Sequence, residues 1–198
     1  MIDKKSQTQK GNLRIIGGVW KSRIIQFSGS RDLRPTADSI RETLFNWLAP
    51  EILGSKCLDL FAGSGSLGFE AASRGANKVH MVDNSHIATQ QLLHTCQILA
   101  STQIDVYCQN AIDFLEKSNT SYDIIFLDPP FEKNSLPQII SVLEQSDSVI
   151  NNALVYIERR NKIDRFQLKK RWNVHKEKRN RNIIYGLYRL NKNATIST

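Results

Sequence analysis

From Lys56 onward, short apolar runs alternate with amphipathic stretches at nearly regular spacing. Cys57–Phe61, Val79–Val82, Ile104–Tyr107, Tyr122–Leu127 and Ala153–Ile157 are each brief and mostly apolar, and read as buried strands. The segments between them, near Leu67–Ser73, His86–Leu99, Ala111–Lys117 and Leu136–Glu144, carry apolar residues at helical spacing. Repeated β-α units predict an α/β fold, because parallel strands need crossover connections and those connections put helices on both faces of the sheet. The two ends of the chain break this rhythm. Trp172–Lys178 and Ile183–Leu190 predict an antiparallel hairpin at the sheet edge, joined by Arg179-Asn180-Arg181-Asn182. At the start, Leu13–Ile16 and Val19–Phe27 predict a hairpin turning at Gly17-Gly18. Pro35-Thr36 then opens a helix with Ile40, Leu44, Trp47 and Leu48 on one face, and Pro50 ends it. The expected organisation is a disordered polar tail over 1–12, an extension over 13–50, the α/β domain over 51–190 and a second tail over 191–198.

At 198 residues and 40 % apolar content the chain supports one ordinary domain with a small appendage. No apolar run approaches the about 20 residues needed to span a bilayer. The polar start, Met1-Ile2-Asp3-Lys4-Lys5, carries no signal-like core, so a cytoplasmic protein without membrane association is expected. Cys57, Cys96 and Cys108 lack metal or redox spacing and read as reduced thiols. The histidines His80, His86, His94 and His175 are scattered, and no metal is expected.

Charge changes the picture more. The net charge is +8, but residues 1–50 carry +5, residues 51–157 carry −7 and residues 158–198 carry +10. An acidic centre between basic ends predicts a chemical site beside a grip on a polyanion. Arg14, Lys21, Arg23, Arg31, Arg34 and Arg41 are candidates for one side of that grip. Arg159, Arg160, Lys162 and the stretch 169–181 are candidates for the other. Trp20, Trp47 and Trp172 are candidates for stacking on bases, although Trp47 shares the face of Ile40 and Leu44 and so reads as core.

Candidate chemistry gathers at the strand ends. Asp128-Pro129-Pro130-Phe131 follows the apolar run Ile124–Leu127. Two prolines fix φ and remove two N–H donors, leaving a loop of carbonyls, one carboxylate and one ring. Such a loop suits an exocyclic NH2, whose two hydrogens need two acceptors, on a planar base that the ring of Phe131 can stack against. Between the first parallel strand and its helix, Asp59, Phe61, Ala62, Gly63, Ser64, Gly65 and Gly68 form a glycine loop that satisfies GxGxxG. The pattern alone serves a pyrophosphate, another nucleoside or only a tight turn. Asp59 favours a ligand with a cationic amino-acid moiety, since it would repel a pyrophosphate. Asp83, followed by Asn84, ends the second strand, where a carboxylate can accept from ribose hydroxyls. Asn110-Ala111 ends the third, where an amide can pair with an adenine edge.

These residues resemble the class I S-adenosylmethionine-dependent methyltransferases that act on exocyclic amines. Leu13-Arg14-Ile15-Ile16-Gly17-Gly18, Leu33-Arg34-Pro35-Thr36, the run Arg41-Glu42-Thr43-Leu44-Phe45-Asn46-Trp47-Leu48 and Ser73-Arg74-Gly75-Ala76 resemble, more narrowly, the bacterial 16S ribosomal RNA guanine-N2 methyltransferases. The resemblance implies a Rossmann-like class I methyltransferase domain with S-adenosyl-L-methionine as cofactor. It implies methylation of guanine 966, in the standard rRNA numbering, on the small ribosomal subunit or its assembly intermediate, by a monomer. It places Asp59, Ala62, Gly63, Gly65 and Gly68 in the cofactor loop, Asp83 at the ribose in place of the usual Glu, Asn110-Ala111 beside the adenine, and Asp128 to Phe131 in the catalytic loop. Two rival activities remain from the residues themselves: adenine-N6 methylation of DNA or RNA, and NAD-dependent oxidoreduction through the same glycine pattern.

Overall fold

The computed structural model describes residues 9–29, 36–129, 136–160, 170–180 and 182–193. Nine strands and five helices follow in the order β1 (Gln9–Arg14), β2 (Ile24–Gly29), α1 (Asp38–Leu48), β3 (Lys56–Asp59), α2 (Ser66–Ser73), β4 (Lys78–Asp83), α3 (His86–Ile98), β5 (Ile104–Cys108), α4 (Ala111–Lys117), β6 (Tyr122–Leu127), α5 (Leu136–Gln145), β7 (Val149–Arg160), β8 (Trp172–Arg179) and β9 (Ile183–Leu190) among the described residues.

The main sheet has the order β5-β4-β3-β6-β7-β9-β8. Its first five strands are parallel, and β9 and β8 add an antiparallel edge. From β3 the chain winds outward through β4 and β5, then returns to the other side of β3 as β6. The carboxyl ends of β3 and β6 therefore flank the point where strand order reverses, where ligands enter sheets of this kind. Both faces are covered, which is why the strands read as continuous apolar runs. Cys57, Ile124 and Phe126 point into one core with Leu44, Phe45, Phe69 and Leu92. Leu58, Ile125 and Leu127 point into the other with Phe114, Leu115, Ile139 and Leu143.

The small sheet differs from the expectation. Its register runs from Gln9 opposite Gly29 to Arg14 opposite Ile24, so residues 9–12 lie in a strand and residues 15–23 form the connection. Gly17 and Gly18 serve docking, not a tight hairpin. The amides of Ile16 and Gly17 donate to the two oxygens of Glu70 on α2, each at 2.8 Å. Gly18 has φ +77°, and a Cβ there would overlap the Ser73 carbonyl. The amide of Val19 donates to that same carbonyl at 2.8 Å, and the amide of Trp20 donates to Ser73 Oγ at 3.0 Å.

Arg41 is likewise not a surface cation. Its side chain has no exposure, and it bonds to Asp38 Oδ1 at 2.6 Å, to the carbonyls of Arg14 and Thr36, and lies 3.6 Å from Glu70. Arg74 closes the network on Glu70 at 2.7 Å. One buried acid thus joins the β1–β2 connection, α1 and α2. Trp20 and Trp172 are also buried, so neither is available for base stacking; Trp172 donates from Nε1 to Glu144 at 2.8 Å. Trp47 packs on the core through Tyr185, with ring centroids 5.9 Å apart. Arg31, Arg34, Lys162 and Lys169 lie outside the described residues.

Candidate active site

The glycine loop is held by its own backbone and by two strand-end acids. Gly63 (φ 50°) and Gly65 (φ 80°) adopt left-handed conformations that a residue with a Cβ enters only with strain. Gly65 is the N-cap of α2, and its amide donates to the Ala62 carbonyl at 2.6 Å. Gly68 lets α2 lie against β4, since a Cβ there would overlap the Met81 side chain. Ala62 and Ser64 are buried and Phe61 is partly exposed, so the loop offers backbone rather than bulk.

Asp59 ends β3 beneath this loop and is 2 % exposed. Its Oδ2 accepts from the Gly68 amide at 3.1 Å. Burial pushes its carboxyl up to about 7, opposed by amide donation from Gly68 and Phe61 and reinforced by the negative charge of Asp83. Asp83 ends β4, where Oδ2 accepts from the Gly63 amide and Oδ1 from the Ser85 amide, each at 2.8 Å. A carboxylate oxygen has two lone-pair directions, so each retains one for a hydroxyl. Asn84 stands exposed beside it. Asn110 is the N-cap of α4, its Oδ1 accepting from the Ile112 amide at 2.8 Å, so its exposed amide group is the part left for a ligand. Ala111 is buried behind it. Gln109 bonds to the Asp83 carbonyl, which brings the ends of β4 and β5 together.

Asp128 follows β6, one strand from Asp59 on the other side of the reversal point. Thr36 Oγ1 donates to its Oδ2 at 3.3 Å, and Ser66 Oγ lies 3.5 Å from the same threonine hydroxyl. Burial, then the charges of Glu158 and Asp59, hold the Asp128 carboxyl well above the usual carboxylate range, while Thr36 opposes them. Glu158 is the unforeseen member of the site. Leu127 pairs with Ile157 across parallel β6 and β7, so Asp128 and Glu158 occupy the next register position, side by side. Tyr156 Oη donates to Glu158 Oε2 at 2.8 Å. Pro129 is buried; Pro130 and Phe131 lie outside the described residues.

The structure therefore brings Asp59, the glycine loop, Asp83, Asn110 and Asp128 to one end of the sheet. It adds Thr36 and Glu158, which sequence reading did not assign to the site. Glu158 carried a signal all the same. It is the first polar residue after the run Ala153–Ile157, the position that Asp83 and Asp128 occupy after their own strands.

The family model described as Conserved hypothetical protein 95 matches residues 13–189. The chain belongs to this family. Among curated relatives of this Conserved hypothetical protein 95 chain, the Ribosomal RNA small subunit methyltransferase D of Escherichia coli strain K12 is 39 % identical over 187 residues, covering 94 % of both chains. The protein of the same name from Haemophilus influenzae is 44 % identical over 191 residues, covering 93 % of this chain and 98 % of its own length. The solved structure described as "Putative methyltransferase yhhF from Escherichia coli" superposes with a TM-score of 0.85 at 37 % identity, covering 92 % of this chain and 99 % of that one. Match and site agree in position: residues 13–189 include every strand-end acid described above.

Proposed function

We propose that this chain transfers a methyl group from S-adenosylmethionine to the exocyclic N2 amine of a guanine in 16S ribosomal RNA, at guanine 966 of the small subunit or its assembly intermediate. The reading rests on Asp128, placed beside the glycine loop and Asp59 across the sheet's reversal point. Residues 51–190 carry the chemistry and 13–50 contribute to RNA contact, in a cytoplasmic monomer.

The chemistry of the donor set fits the cofactor. Asp59, Asp128 and Glu158 gather at one end of the sheet, and among the described residues no lysine or arginine pairs with any of them. Such a row suits a ligand with ammonium and sulfonium charges, which draw out its carboxylate forms, and offers a dinucleotide pyrophosphate no cation to pair with, which argues against the oxidoreductase alternative. Asp83 is positioned for ribose hydroxyls, and the Asn110 amide for an adenine edge. When bound, S-adenosylmethionine supplies a methyl group activated by its sulfonium.

The guanine N2 lone pair is delocalised into the ring and is a poor nucleophile. Asp128 Oδ and the Pro129 carbonyl accept the two amine hydrogens, which turns the lone pair toward the methyl carbon and stabilises the positive charge developing on nitrogen. Asp128 would take the amine proton as nitrogen accepts the methyl group that the cofactor would supply. Burial favours the protonated acid in the free protein; a cation nearby and an amine donor restore the carboxylate that this step needs. Phe131 is assigned to stacking on the base, which is extruded first at a cost of about a few kcal/mol. Incubation with labelled S-adenosylmethionine and small-subunit particles, followed by mass spectrometry of the nucleosides, tests the proposal. Label in N2-methylguanosine supports it; label in any other nucleoside rejects it.

A further inference from the structure

Glu158 is given no contact with the target base in the scheme above, yet it stands next to the residue that holds the amine. It is 7 % exposed. Its place follows from register: Leu127 opposite Ile157 puts Asp128 and Glu158 on adjacent parallel strands at the same height, about 4.8 Å apart in the hydrogen-bonding direction and facing the same side of the sheet. Asp59 and Asp83 accept from backbone amides, and Asp128 accepts from Thr36. Glu158 receives one phenolic hydrogen, from Tyr156, and no arginine or lysine pairs with it among the described residues. A buried carboxyl with so few donors is costly unless a ligand supplies another.

The Watson–Crick edge of guanine supplies one in the right place. It presents N2–H2 and N1–H as neighbouring donors, matching two neighbouring acceptors. Adenine presents its amine beside the N1 lone pair, which would face an ionised Glu158 carboxylate with no hydrogen between them. We propose that Glu158 accepts a hydrogen bond from N1–H of the target base while Asp128 holds the adjacent amine, making Glu158 a specificity determinant for guanine. This rests on the guanine-N2 reading above. A site built to accept from a donor discriminates against an analogue that lacks it, because the acceptor is then left buried and unpaired.

The test uses small-subunit particles assembled from ligated rRNA with either guanine or 2,6-diaminopurine at the position the wild-type protein modifies. Diaminopurine keeps the 2-amine but replaces N1–H with a lone pair. The wild-type protein is expected to prefer guanine by about 10- to 100-fold in kcat/KM. Glu158→Gln, whose amide can donate to that lone pair, is expected to shrink the preference at least tenfold or to invert it. Equal wild-type rates on the two bases overturn the proposal whether or not the variant folds. So does a Glu158→Gln protein that turns over guanine and keeps the wild-type ratio. Failure of the wild-type protein to methylate N2 of guanine at all is a different result, and it rejects the underlying reading instead.

Discussion

Thr36 Oγ1 donates a hydrogen bond to Asp128 Oδ2 at 3.3 Å, across 92 positions of sequence. The threonine sits just before α1, and its own carbonyl is held by Arg41 Nε at 3.2 Å. The extension thus reaches the acid assigned to the amine. Thr36→Val removes the hydroxyl and keeps the shape. It is expected to lower kcat about tenfold, equivalent to about 1.4 kcal/mol, with little change in KM for S-adenosylmethionine. Thr36→Ser should restore most of the loss. A Thr36→Val enzyme with wild-type kcat would show that the hydroxyl does not orient Asp128.

Asp128 itself should separate chemistry from binding. Asp128→Ala removes the carboxylate acceptor and is expected to reduce turnover by at least about 100-fold. Binding of S-adenosylmethionine, followed by calorimetry, should change little, because Asp59 and Asp83 hold their own amide partners independently. Near wild-type turnover in this variant would rule out the assigned role.

Asp59 gives a pH dependence of defined sign. Its carboxyl is pushed from 3.8 up to about 7 by burial, so the folded protein holds the proton more tightly than the unfolded chain does. That contribution is favourable at low pH and is lost as pH rises from about 4 to about 7. Melting curves of the ligand-free protein should therefore fall across this window relative to Asp59→Asn. A bound cation favours the carboxylate, so affinity for S-adenosylmethionine should tighten with pH over the same range. Affinity that is flat through this window in wild-type protein would contradict it.

Glu70 predicts a stability effect. Glu70→Ala removes the buried acid 3.6 Å from fully buried Arg41, leaving it Asp38 at 2.6 Å, strips the partner from Arg74, and orphans the Ile16 and Gly17 amides. Breaking a buried ion pair from one side costs about 3–5 kcal/mol. Denaturant titration should show that loss, and proteolysis should cut the β1–β2 connection sooner than in wild type. An unchanged unfolding midpoint would refute this account of the network.

The exposed cations of the two ends should act together. Arg14, Lys21 and Arg23 near the small sheet, and Lys176, Lys178 and Arg179 on β8, are exposed. Affinity for small-subunit particles should fall steeply with salt, and each neutralised phosphate contact should reduce the slope by about one. Filter binding across a salt series would expose a salt-insensitive interaction, which this reading forbids.

How far the sequence was legible follows from the range of each interaction. Ile124–Leu127 is apolar because both faces of β6 are buried, and that fact is written in four adjacent residues. Asp83 and Asp128 were legible for the same reason: each is the first polar residue after such a run. The partners of these acids were not, because contacts such as Thr36 with Asp128 join distant segments and no local pattern encodes them. Arg41 misled because a cation on an amphipathic helix reads as solvated, and its buried counterion lies on another helix. Gly17-Gly18 read as a hairpin turn because glycine marks close backbone approach without saying what approaches. Glu158 was counted only as charge in a basic segment.

Glu70 accepts from two amides of the β1–β2 connection and from Arg74, the residue that caps its own helix, and it faces Arg41 of α1. The helix that begins at the glycine loop is therefore riveted to the small amino-terminal sheet. A chimaera that exchanges residues 13–50 with those of a distant relative must exchange the acid at position 70 in step, or the two halves will part at that seam.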